Sequence, residues 1–119
     1  MTPRRRFLVL AVGAAAMPRF AFAEAGGPAE RLTAIVRDPP SAAALGRAYR
    51  AQFLREARGE ALAAAILATL PPSARTGDEH ALRGAIRARV RADFAAGDVV
   101  RLDGWTLSRT EGRLAALCA

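Results

Sequence analysis

Cysteine, histidine, tryptophan and tyrosine each occur once in this 119-residue chain, as Cys118, His80, Trp105 and Tyr49, and lysine does not occur. A single cysteine excludes a disulfide within the chain and any cysteine-cluster metal site. It is inert, reactive or bonded to a partner, and beside the C-terminus Cys118 reads first as a small apolar residue. A single histidine leaves Asp78-Glu79-His80 short of the three or four convergent ligands that a metal site usually needs. His80 reads instead as part of a helix-capping turn. No Cys-x-x-Cys-His haem site and no glycine-rich phosphate loop is present. Cys118 has only His80 as a possible base, and Ser108 is taken up by helix capping. No cofactor, no metal and no self-contained enzyme is therefore expected. The longest apolar run, Phe7 to Met17, falls short of the roughly 20 residues that span a bilayer.

All 18 basic residues are arginine, against 11 acids, for a formal charge of +7. Together with the many alanines, this points to GC-rich bacterial coding and not to a physical need for guanidinium. Arg4, Arg5 and Arg6 stand directly before the apolar run, and Ala21-Phe22-Ala23 follows it. A basic start, a short apolar stretch and a small-residue A-x-A site make a secretory signal. An ordinary buried helix with a basic start fits Pro18 and the A-x-A site poorly. The stretch Pro3-Arg4-Arg5-Arg6-Phe7-Leu8-Val9 resembles the twin-arginine export signals at Arg4, Arg5, Phe7 and Leu8, and departs from them at Pro3 and Val9. Arg19, just before the cleavage site, disfavours general secretion, the competing route. The resemblance implies a signal peptide over residues 1–23, with Ala21 and Ala23 at a site cleaved before Glu24. It also implies transient contact with the twin-arginine translocon, a periplasmic location and no transmembrane segment after cleavage.

Removal of residues 1–23 leaves 14 arginines against 11 acids, a net charge of +3. That is an ordinary solubility margin and not a nucleic-acid footprint. Residues 24–28 read as a flexible leader and 29–119 as one small helical domain. Leu32, Ile35 and Val36 give a short amphipathic helix that Asp38-Pro39-Pro40 stops. Ser41 is the expected N-cap of a second helix through Leu45, Tyr49 and Phe53. Gly59 marks a break, and Leu62, Ile66, Leu67 and Leu70 form a third helix. Pro71-Pro72-Ser73 ends it in a polar loop that runs to Asp78. Asp78 caps a fourth helix with the apolar row Leu82, Ile86, Val90 and Phe94, closed by Gly97.

The last stretch has the densest local signals. Val99, Val100 and Leu102 read as a strand, Asp103-Gly104 as a two-residue hairpin turn, and Trp105 to Leu107 as the returning strand. Ser108-Arg109-Thr110-Glu111 is a capping box between Ser108 and Glu111, and Leu114 and Leu117 carry the final helix onto the core. The expected fold is mainly α: a small bundle of four to five helices with one short β-hairpin before the last. The stretch GWTLSRTEGRLAAL resembles the lead-in to the winged-helix DNA-binding domain of response regulators, where a helix also opens after a hairpin. That family requires a further recognition helix, for which the residues to Ala119 leave no room, so no nucleic-acid partner is expected.

Two features suit a protein partner. Trp105 either plugs the core, the favoured role, or stands out as an interface anchor, and Tyr49 is judged in the same way. Arg83, Arg87 and Arg91 form a row that is either a solvated helix face or a surface for an anionic partner. Twin-arginine export carries folded proteins, which hold a cofactor or accompany a partner that does. In plan and size the chain is similar to the small signal-bearing subunits of bacterial periplasmic dehydrogenases, and none of their functional residues carries over. The resemblance implies a non-catalytic accessory subunit or assembly partner co-exported with a cofactor-bearing catalytic subunit. The alternative is a free-standing periplasmic binding or structural protein.

Overall fold

The structure, a computed structural model, describes residues 27–119. The expected signal and cleavage residues, Arg4, Arg5, Phe7, Leu8, Ala21 and Ala23, lie outside the described residues, as does most of the 24–28 leader. Within the described residues the chain is mainly helical, with one antiparallel two-stranded hairpin before the last helix. The helices are α1 (Pro28–Thr33), α2 (Pro39–Gln52), α3 (Gly59–Ala68), α4 (Pro72–Thr76), α5 (Glu79–Ala96) and α6 (Arg109–Leu117). A 3₁₀ turn (Leu54–Glu56) lies between α2 and α3, and β1 (Val99–Leu102) and β2 (Trp105–Ser108) lie between α5 and α6.

Three boundaries differ from the sequence expectation, and proline chemistry explains two of them. Asp38, not Ser41, caps α2: its side chain accepts the Ser41 N–H at 3.4 Å and the Ser41 hydroxyl at 2.8 Å. Pro39 and Pro40 thus open α2, at positions where a helix amide has no partner to lose and a fixed φ helps. Pro72 does the same for α4, so the polar loop to Asp78 contains a sixth helix whose Ala74 is buried. The third difference is α1, which ends at Thr33, and Ile35 reaches the core from the turn beyond it.

Other terminal signals act as their chemistry requires. Asp78 accepts the Ala81 N–H at 2.9 Å. Gly97 adopts the left-handed conformation, φ 75°, after α5. The Gly97 N–H then reaches the Phe94 carbonyl and the Asp98 N–H the Asp93 carbonyl, the paired bonds of a Schellman motif. At the hairpin turn Asp103 and Gly104 both have positive φ, 51° and 85°, as a type I′ turn demands.

Helix α6 is the organising element. It packs against α1, α2, α3, α5 and both strands. Its sequence, RTEGRLAAL, makes this possible because the residues it buries include Gly112, Ala115 and Ala116, which let neighbouring backbones come close. A Cβ on Gly46 of α2 would collide with the Ala115 carbonyl and lie 2.8 Å from the Ala116 Cα. A Cβ on Gly112 would lie 2.8 Å from the Tyr49 ring. Two apolar clusters flank α6. One gathers Leu32, Ile35, Ile66, Leu70, Leu82 and Ile86, and the other Tyr49, Leu62, Val100 and Leu102, with Leu117 packed against both.

Candidate functional site

The β1–β2 hairpin lies between α5 and α6 and carries Trp105 at the start of its second strand. Its register pairs Val99 with Ser108, Val100 with Leu107, Arg101 with Thr106 and Leu102 with Trp105. Directly opposed residues of an antiparallel pair share a face. Val100, Leu107, Leu102 and Trp105 therefore lie on the core-facing side. Val100 and Leu102 are buried there, but Trp105 is 66% exposed. The core role favoured by the sequence pattern is thus not the one taken. Trp105 holds a core-side register position, yet most of its indole stands in solvent beside the turn.

The base of the hairpin is held by polar contacts. All four amides at the start of α6 have partners. The Ser108 N–H donates to the Glu111 carboxylate at 3.0 Å, and the Glu111 N–H donates to the Ser108 hydroxyl at 3.0 Å. The Arg109 N–H donates to the Asp98 carbonyl at 3.0 Å and the Thr110 N–H to the Asp93 carboxylate at 2.9 Å. Carboxylates at a helix N-terminus also oppose the positive end of its dipole. Asp93 is 2% exposed and takes a second bond from Arg89 Nε at 2.9 Å. Burial pushes its carboxyl up, but the bonds from Thr110 and Arg89 outweigh that and hold it below the ordinary aspartate range. The Trp105 hairpin is therefore clamped at its base.

A second polar cluster joins the 3₁₀ turn to α6. The buried Tyr49 hydroxyl donates to Glu56 at 2.7 Å, and Arg113 Nε donates to the same carboxylate at 2.8 Å. The Arg113 bond holds the Glu56 carboxyl below its usual range, and burial pushes the Tyr49 phenol up. Arg50 donates to the Ala116 carbonyl at 2.9 Å and to the Ala57 carbonyl. Arg109 lies 4.9 Å above the Phe53 ring and donates to Asp98 at 3.2 Å. With Tyr49 fully buried, this cluster ties elements together and offers no hydroxyl to a substrate.

The arginine row on α5 divides. Arg83 is half-buried and engaged, with Glu79 at 2.6 Å and the Ile35 carbonyl at 3.4 Å. Arg87 and Arg91 are exposed. Among the described residues no cation–π contact joins the row to Trp105. His80 is exposed in the first turn of α5, and among the described residues no group of three or more His, Cys, Asp or Glu side chains could hold a metal ion. Cys118 is half-buried and unbonded, and burial raises its thiol. Among the described residues no helix is long and apolar enough to cross a membrane.

Sequence reasoning missed Asp93, the Glu56 cluster and the role of Gly46. The spacing of Arg89 and Asp93, four residues apart on the flank of the apolar row, was the one available signal for the first. Comparison with protein-family models, curated proteins and solved structures finds no match for this chain.

Proposed function

We propose that this chain is a non-catalytic accessory subunit or assembly partner, and that it docks through the β1–β2 hairpin. On this reading its helices form a small bundle around α6 whose task is to hold the hairpin rigid. The observation that carries the proposal is Trp105, 66% exposed on a hairpin whose turn and base are both fixed. An exposed indole on a rigid mount loses little conformational freedom when it docks, and tryptophan is enriched at binding hot spots for its large contact area. A solitary exposed apolar residue is ordinary on a protein surface; the clamped setting of this one favours a binding role.

The partner we infer is a cofactor-bearing periplasmic redox subunit, carried across the membrane under the twin-arginine signal of this chain. Arg4, Arg5, Phe7 and Leu8 support that reading through their resemblance to such signals. The test replaces Arg4 and Arg5 with lysine in the full chain, in the cells that make it, and follows export of the chain and of whatever co-purifies with it. Both are expected to stay in the cytoplasm together. Continued export of the chain with the general secretory route blocked contradicts the signal, and export of the companion without the chain contradicts co-export.

A further inference from the structure

One face of α5 gathers exposed basic residues and an aromatic ring. Each residue turns a helix by about 100°, so His80, Arg87, Arg91 and Phe94 fall within roughly 60° of one another around α5 and extend about 21 Å along it. His80, Arg87 and Arg91 are exposed, and Phe94, a large apolar ring, is 47% exposed. Arginines elsewhere on this helix have partners: Arg89 has Asp93 and Arg83 has Glu79. Among the described residues Arg87 and Arg91 have no ion-pair partner. The only acid of α5 besides Glu79 is Asp93, buried on the opposite side. The face therefore lacks any negative charge of its own, and it sets one aromatic ring beside two unengaged guanidinium groups.

We infer that this face docks an acidic helical segment of a partner protein, with carboxylates four residues apart and one apolar side chain. The inference deepens the docking role proposed above and rests on it. Charge complementarity selects the occupant. Arg87 and Arg91 repeat at one helical turn, the spacing at which a facing helix presents carboxylates on a single side. Planar guanidinium groups pair with carboxylates in a fixed geometry, and Phe94 supplies apolar area next to them. A lipid surface is disfavoured, because the strip offers one ring for insertion where an interfacial helix presents a whole apolar face.

The test titrates the folded protein with a synthetic helical peptide bearing glutamates four residues apart and one leucine. In parallel it is titrated with vesicles of phosphatidylglycerol and phosphatidylcholine in equal parts. The peptide is expected to bind and to shift the NMR signals of Arg87, Arg91 and Phe94. The double variant Arg87→Ala/Arg91→Ala should weaken binding about tenfold, as two modest charge pairs would, and Phe94→Ala should weaken it too. The variant Arg47→Ala/Arg55→Ala removes equal charge from exposed sites away from both α5 and the hairpin and should change affinity less than about twofold. Equal weakening by the two double variants, no peptide binding, or binding to the vesicles in its place overturns the inference. A chain that ignores the peptide yet holds a partner through Trp105 would lose only this second surface, so the two proposals fail separately.

Discussion

The carboxylate of Asp93 accepts the backbone N–H of Thr110 at 2.9 Å, so the last turn of α5 fastens the first turn of α6. The contact spans 17 residues of sequence and encloses the whole hairpin. It converts two strands, which are marginal alone in water, into a fixed projection. Removing the carboxylate charge while keeping the shape tests this directly.

Asp93→Asn is expected to cost about 1–3 kcal/mol at neutral pH, the range for a charge-assisted bond in a buried setting. Because the Asp93 carboxyl lies below its ordinary range when folded, its stabilisation is present above the unfolded-state value near 4 and is lost as pH falls through the lower, folded value. Glu56, also lowered, adds to the same acid loss. Urea unfolding should therefore show a gap between wild type and Asp93→Asn that is full at pH 7 and narrows in acid. A gap independent of pH contradicts the assignment.

One substitution at two glycines should have opposite effects. Gly46→Ala forces a Cβ into the α6 backbone and should destabilise by at least the ~1–3 kcal/mol typical of overpacking. Gly84→Ala in α5 meets nothing within 4 Å and should stabilise by up to about 1 kcal/mol, the helix propensity of alanine over glycine. Thermal melts of the two variants check the pair, and an unchanged or raised melting temperature for Gly46→Ala contradicts the close approach of α2 to α6.

Leu102 and Trp105 face each other across the hairpin but differ in burial. Leu102→Ala, at 1% exposure, should cost about 2–5 kcal/mol as a core truncation. Trp105→Ala should cost less than about 1 kcal/mol, as exposed substitutions do. The fluorescence of the single tryptophan should be red-shifted and readily quenched in the isolated protein. A blue-shifted, protected emission would place the indole in the core after all.

Much of this architecture is legible locally. Asp78, Gly97, Asp103-Gly104 and the Ser108–Glu111 box each carry their signal within four residues, and each acts at its expected place. The pairings that escape a local reading depend on distant partners. Asp93 meets Thr110, Glu56 meets Arg113, and Gly46 meets Ala115 only when α6 docks, and no periodicity encodes those pairings. Trp105 misleads for a different reason. Its alternation with Leu107 reports which side of the hairpin it occupies, but not how far helices cover that side. Pro39 and Pro72 read as stops because each ends the helix before it, although the same fixed φ opens the next helix.

The most direct test of the docking claim is affinity purification of the tagged full chain, wild type and Trp105→Ala, from cells that make it at native level. A stoichiometric cofactor-bearing companion with no export signal of its own is expected, retained by the wild type and lost or strongly reduced with Trp105→Ala at unchanged folding. A wild-type chain recovered alone and monomeric, or a companion held equally well by Trp105→Ala, would contradict it.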